Sequence, residues 1–239
     1  MRTRLKLIRY LKYLFFAWGL HRFVRPFSGA LTTLSNMSRL GAFLRAQRGK
    51  PNVHPFATPA SRTVREDLYA SVLPMLGDHG FDYLEFGVCQ GHSLKWWVAN
   101  AKHAGTRFFG FDTFTGLPED WGVYKAGDMG TGFRVPDIPD TRVEFIKGLF
   151  QDTLPGFLQR WPGDRRKLIH LDADLYTSTL YALTMLHGRL LTGDVLLFDE
   201  FAVPNHEYLA FQNYVDSYRL KYEVVGSRNN GLFLAVRVL

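Results

Sequence analysis

From residue 66 to the carboxyl terminus, short apolar runs alternate with stretches of helical periodicity, and this alternation restricts the fold more than any other feature. Helical patterns cover 66–77, Ser93–Ala104, Asp152–Arg160, Tyr176–Leu191 and His206–Arg219. Strand patterns cover Asp82–Gly87, Arg107–Asp112, Val143–Lys147, Lys167–Asp172 and Asp194–Asp199. Two more, Tyr222–Val225 and Leu232–Val236, flank Asn230-Gly231, a step that favours a hairpin turn. Strands alternating with helices give an α/β fold, a parallel sheet covered on both faces, to which the hairpin adds one antiparallel strand. In such sheets ligands bind beyond the carboxyl ends of the strands. Residues 113–142, rich in Gly, Pro and Asp, read as a long loop; Trp121, Tyr124, Met129 and Phe133 within it suit a flap that closes over a bound molecule.

The first quarter of the chain differs in composition. Residues 1–65 hold 13 of the 29 Lys and Arg and none of the 22 Asp and Glu, so residues 66–239 carry 16 basic against 22 acidic groups. The expected organisation is a basic amphipathic helical extension and linker over 1–65 and the α/β domain over 66–239. Leu7, Ile8, Leu11, Leu14, Phe15 and Trp18 fall on one side of a helix, and Arg2, Lys6, Arg9 and Lys12 on the other. The longest purely apolar run, Tyr13–Leu20, is far short of the roughly 20 residues that span a bilayer. Arg22 and Arg25 close behind it, with no small-residue cleavage site, disfavour a signal peptide. Two readings of residues 1–30 fit: contact with an anionic membrane surface, or packing on the catalytic domain or on a second copy of the chain. Nucleic acid is disfavoured, because the remainder of the chain is acidic and holds no recognition motif. Residues 47–65 read as a linker. The single cysteine, Cys89, rules out an internal disulfide and fits a reducing cytoplasm; with the membrane reading, the expected location is peripheral to the inner face of the membrane.

The strand ends carry the chemistry. The first runs into Gly87-Val88-Cys89-Gln90-Gly91-His92-Ser93, a tight turn leading to a helix amino terminus that suits a carboxylate. A dinucleotide fingerprint would need glycine at 89 and 92 as well, so a pyrophosphate site is disfavoured. The second strand ends at Asp112, placed to accept hydrogen bonds from ribose hydroxyls. The fourth ends His170-Leu171-Asp172-Ala173-Asp174 and the fifth Phe198-Asp199-Glu200. Carboxylates gathered at neighbouring strand ends repel unless a cation, a proton or a basic partner intervenes. Oxygen ligands without paired Cys or His favour Mg2+ over zinc. His170, within a strand, reads as a core histidine, and Asp174 and Tyr176 as capping residues.

Five motifs in order strengthen this picture. Glu85-Phe-Gly-Val-Cys-Gln-Gly91, Phe111-Asp-Thr-Phe-Thr-Gly-Leu-Pro118, Lys147-Gly-Leu-Phe-Gln-Asp-Thr-Leu-Pro155, Leu171-Asp-Ala-Asp-Leu-Tyr-Thr-Ser-Thr179 and Phe198-Asp-Glu-Phe201 together resemble the macrocin O-methyltransferase family, over about residues 80–215. Members methylate sugar hydroxyls on natural products. Order and spacing are also similar to the more distant catechol O-methyltransferases. The resemblance implies a Rossmann-like class I methyltransferase with a seven-stranded, mostly parallel sheet and S-adenosyl-L-methionine at the first two strand ends. It places Glu85, Gly87, Gly91 and Ser93 along the methionine part, Asp112 on the ribose, Gly148 and Gln151 beside the adenine, and Asp172, Asp199 and Glu200 on the metal. The catechol enzymes use a lysine three positions after the first metal acid; Leu175 stands there, so that base does not carry over.

A sulfonium already activates its methyl group, so the protein must align an acceptor oxygen and help it lose a proton. Asp172 is the first expected base and His206 the second, since an imidazole titrates near neutrality. The expected function is metal-dependent O-methylation of a sugar or glycosylated small molecule. A catechol-like acceptor, or a non-catalytic membrane-associated binding subunit of the same fold, stands as an alternative. The same resemblance leaves residues 1–79 free to form an acceptor pocket or an oligomer contact.

Overall fold

The computed structural model describes residues 2–54 and 56–239. It divides into two compact units, Met1–Arg39 and Leu40–Leu239. The first contains α1 (Arg2–Ala17), α2 (His21–Val24), a 3-10 turn at Arg25–Phe27, and most of α3 (Ser28–Ala46). The second begins in the last turns of α3, where Leu40 and Leu44 are buried. Composition changes at 65/66, but packing changes at 39/40. The difference lies in residues 47–65, which read as a linker yet are tied to the larger unit. Asn52 donates to Ser71 Oγ at 2.8 Å and to the Val225 carbonyl at 3.1 Å, and Val53 bridges to Ser227.

The larger unit continues with α4 (Glu66–Val72), β1 (Asp82–Phe86), α5 (His92–Asn100), β2 (Arg107–Asp112), β3 (Val143–Lys147), α6 (Phe150–Arg160), β4 (Lys167–Leu171), α7 (Tyr176–Leu186), β5 (Val195–Phe198), α8 (Glu207–Tyr218), β6 (Tyr222–Arg228) and β7 (Phe233–Val238). The seven strands form one sheet in the order β3-β2-β1-β4-β5-β7-β6. The first five are parallel; β7 pairs antiparallel with β5 and β6. This is the expected architecture. The hairpin turn is a 3-10 turn at Asn229–Gly231, with Asn230 in the left-handed region at φ 63°.

Strand side chains alternate between two cores, as the period of two requires. Leu84, Phe86, Phe109, Phe111, Ile169, Leu171, Leu196 and Phe198 face α6, α7 and α8. Tyr83, Phe108, Leu168, Val195 and Leu197 face α4 and α5 with Tyr69 and Trp97. Pro155 lies inside α6, where it cannot donate to the Gln151 carbonyl one turn back. The Tyr181 hydroxyl approaches that carbonyl instead, at 3.4 Å.

Topology fixes where a ligand can bind. The chain winds from β1 through β2 to β3 on one side and returns on the other as β4, so strand order reverses between β1 and β4. A crevice opens at such a point beyond the carboxyl ends. At the opposite end of the strands, Lys167 Nζ and Asp194 Oδ2 pair at 2.7 Å, both fully buried. Breaking a buried pair from one side leaves the other charge uncompensated. Lys167→Met should therefore lose about 3 kcal/mol of stability in urea unfolding; a loss within experimental error would contradict this role for the pair.

Candidate active site

The turn after β1 is built by glycine geometry and one carboxylate. Gly87 takes φ 100° and Gly91 φ 73°, and Cys89 between them is also left-handed at 49°. A Cβ on Gly87 would collide with the Asp172 carbonyl, so glycine is what lets β1 and β4 close at their ends. Asp112 Oδ2 accepts hydrogen bonds from the Val88 and Cys89 amides at 2.8 and 2.7 Å, and Oδ1 accepts from the Phe114 amide at 2.6 Å. The residue expected on the ribose thus also holds the glycine turn in shape. Three of its roughly four acceptor positions are already used.

Helix α4 reaches the strand ends from the other side. Arg65 immediately precedes it and Tyr69 lies one turn further on, so both project from one face. Arg65 Nη1 lies 2.9 Å from Asp199 Oδ2 and 3.4 Å from Asp172 Oδ2. The Tyr69 hydroxyl sits 3.3 Å from Asp199 Oδ1 and 3.1 Å from Ser93 Oγ. Sequence reasoning had singled out neither residue. Their signal was a four-residue spacing at the start of a helix, with the last cation before an acidic domain at its head.

Four carboxylates share this end of the sheet. Burial, followed by repulsion from Asp199, Glu85 and Asp174, pushes Asp172 well above the carboxylate range. Burial and Asp199 raise Asp174 to about 6. Burial, then Asp174 and Asp199, raise Glu200 to about 7. Burial also works against the Asp199 charge, while His170, Arg65 and Tyr69 act to hold this carboxyl low; burial favours the neutral form of His170, so Arg65 at 2.9 Å is the partner whose charge is fixed. Asp199 is therefore the fixed anion of the group, and its neighbours carry the repulsion.

Behind them lies a buried polar chain. The Tyr83 hydroxyl is 2.6 Å from Glu85 Oε2 and 2.8 Å from His170 Nδ1. His170 Nε2 has no hydrogen-bond partner and faces Asp199 Oδ1 at 3.8 Å. The core reading of His170 accounts for one ring nitrogen; the other points at the acids.

A cavity of about 450 Å3 opens here. Of the residues expected to bind cofactor, Gly87, Ser93, Asp112 and Gln151 line it, and Asp172, Asp199 and Glu200 line it as well. Glu85, Gly91 and Gly148, also expected to bind cofactor, are not among the lining residues. Glu85 is buried beneath the turn, Gly91 packs on Pro136, and Gly148, at φ 142°, begins the turn into α6. His206 is not among the lining residues; the Tyr176 amide approaches its Nδ1 at 3.3 Å, and Trp121 stands edge-on to its ring. Asp174, expected as a cap, does line the cavity and adopts φ 57°, a conformation uncommon outside glycine. From the long loop, Leu117, Pro118, Met129 and the stacked pair Trp121 and Tyr124 complete the wall.

The donor set suits a divalent cation. His170, Asp172 and Asp199 offer ligand atoms within 4.8 Å of one another, and His170 Nε2 is an orphaned buried nitrogen aimed into the group. Glu200 shares the cavity but lies outside this closest set. Arg65 already compensates Asp172 and Asp199, so a metal would share those two carboxylates with it or displace it.

Seven strands in this order, a glycine turn after β1 and acids closing β2, β4 and β5 define the Rossmann-like class I methyltransferase fold. Two solved structures share it: calicheamicin methyltransferase CalS11, at 20% identity with TM-score 0.56 over 85% of this chain and 91% of that one, and the O-methyltransferase NovP, at 17% and 0.56 over 86% and 98%. Residues 79–233 match the family described as macrocin-O-methyltransferase (TylF), and the chain belongs to that family. It is similar to the 8-demethyl-8-(2,3-dimethoxy-alpha-L-rhamnosyl)-tetracenomycin-C 4'-O-methyltransferase of Streptomyces olivaceus, 31% identical over 60% of this chain and 59% of that protein. It is also similar to the demethyldecarbamoylnovobiocin O-methyltransferase of Streptomyces niveus, 33% identical over 47% of each. The matches thus span three-fifths or less of these curated relatives.

Glu85 gives the site a measurable pH signature. Burial raises it from 4.5 to about 8, against the opposing hydrogen bond from Tyr83. The native state keeps this proton after the unfolded chain has lost it. Its contribution to stability is full below pH 4.5 and is lost as pH rises to about 8. Thermal unfolding across that window should show a falling Tm that Glu85→Gln, which cannot ionise, makes shallower. An unchanged slope in the variant would contradict a protonated Glu85.

Proposed function

We propose that this chain is an S-adenosyl-L-methionine-dependent O-methyltransferase acting on a hydroxyl of a sugar or glycosylated small molecule, with Mg2+ held among Asp172, Asp199 and Glu200 and with His170 beside them. The observation that carries the reading is the opening of the glycine turn and the acid cluster onto one cavity. A volume of about 450 Å3 suits a small ligand with few polar contacts. The relatives' printed activities, methylation of a rhamnosylated tetracenomycin and of a novobiocin precursor, support a glycosylated acceptor. Leu175, fully buried where the catechol enzymes carry a lysine, speaks against a catechol mechanism.

Each group has a role the geometry allows. The turn that Gly87 shapes would line the cofactor, and Ser93 and Asp112 offer it polar contacts. S-adenosyl-L-methionine supplies the electrophilic methyl group. A divalent cation supplies Lewis-acid stabilisation of charge on the acceptor oxygen. Asp174 lines the cavity with its carboxyl raised by burial and Asp199 to about 6, so it would take a proton more readily than an ordinary carboxylate, whereas a cation held by Asp172 would oppose a proton there. His206 is not among the residues lining the cavity, and we rank it behind these carboxylates. Trp121 and Tyr124 present an aromatic face to the acceptor side of the cavity and help exclude water.

The test is a radiolabelled methyl-transfer screen on glycosides and phenols, with and without EDTA. Turnover on a glycoside that requires Mg2+ is expected. Asp199→Asn should lower it on the order of 10^3-fold, several kcal/mol of charge stabilisation, while S-adenosyl-L-methionine binding stays within about threefold of wild type, since Asp199 is placed on the acid side of the cavity. Full activity in EDTA, or in Asp199→Asn, would reject the metal.

A further inference from the structure

We infer that the amino-terminal unit is a peripheral anchor for an anionic bilayer surface. Residues 1–39 carry eight Lys and Arg and no Asp or Glu, whereas residues 40–239 hold 21 basic and 22 acidic groups. This unit therefore carries +8 and the rest of the chain −1, so the net charge of +7 originates in it. The same unit leaves large apolar side chains in water. Leu7, Leu11, Phe16, Trp18, Phe23 and Phe27 are each 54–74% exposed, and Leu31, Leu34 and Met37 continue the series along α3.

Large apolar side chains exposed in this number within one short unit point to an interaction surface. Its charge selects the occupant. A second copy of the chain would bring two strongly positive units together, which like-charge repulsion opposes. An anionic lipid surface answers both features at once: headgroups pair with Lys and Arg while Phe, Trp and Leu enter the interfacial region. The mode is interfacial rather than spanning. Among the described residues no helix is long and apolar enough to cross a membrane. Arg4, Lys6, Arg9 and Lys12 recur along α1, which at 16 residues is about 24 Å long, short of a hydrocarbon core. Trp18, immediately after α1 and on its apolar side, is of the type that settles at a membrane–water boundary.

The test is sedimentation of the full chain with phosphatidylcholine vesicles, with and without phosphatidylglycerol. It needs no turnover, so its outcome is independent of the methyltransferase reading. Binding is expected only with phosphatidylglycerol and should weaken as salt rises. Lys6→Glu/Arg9→Glu/Lys12→Glu should bind on the order of 100-fold more weakly, and Phe16→Ser/Trp18→Ser should also weaken it. These positions are exposed and lie outside the cavity, so both variants should retain wild-type thermal unfolding. Absence of binding, equal binding to neutral vesicles, or unchanged binding by the charge-reversed variant would overturn the inference. So would light scattering that shows self-association abolished by Phe16→Ser/Trp18→Ser without vesicle binding, which would assign the face to a second copy.

Discussion

Asp199 is the charge around which the strand ends are arranged. Arg65 and Tyr69 reach it from α4 and His170 faces it from β4, and together they keep it ionised in a place where burial would otherwise neutralise it. That fixed negative charge raises every neighbouring acid. Among the side chains paired with these acids, Arg65 carries the one permanent positive charge, set against four carboxyl groups. The site therefore has standing affinity for protons or for a further cation. Both properties serve the proposed function, in which a hydroxyl loses its proton.

The fold supplies this arrangement through close backbone approach. Because Gly87 has no side chain, β1 and β4 meet at the point where strand order reverses, and the glycine turn comes to lie against the Asp172 backbone. Asp112 links the two functions by fixing that turn through three backbone amides. The long loop is also folded on itself. A Cβ on Gly116 would strike the backbone of Gly127 and Asp128, and Asp120 accepts from Lys125 and Ala126. Its aromatic pair thus stands at the cavity as part of a structured wall.

Much of this was legible in the sequence because it depends on local pattern. Apolar runs that alternate with helical periodicity place all seven strands, and β2 and β3 agree with their expected bounds to the residue. The acids at the strand ends follow from the same register. Contributions from distant parts of the chain were not legible. Arg65 and Tyr69 act through a helix that precedes the sheet, and nothing local ties them to Asp199, more than a hundred residues away. His170 reads as a core residue because its neighbours in the strand are apolar; only the fold shows which nitrogen lacks a partner. Residues 47–65 look like a linker because they hold loop formers such as Gly49, Pro51 and Pro59, yet the polar side chain of Asn52 is what fastens the segment to β6.

The central claim is that the acid cluster and the glycine turn form one site for a cation and a nucleoside. It is tested most directly by a crystal structure of the protein grown with S-adenosylhomocysteine and Mn2+, with anomalous scattering used to locate the metal. The account predicts a manganese peak among Asp172, Asp199 and Glu200, with the nucleoside lying along Gly87 and Asp112 in the same cavity. Manganese absent from those carboxylates while Arg65 still bridges Asp172 and Asp199, or a nucleoside bound elsewhere, would contradict it.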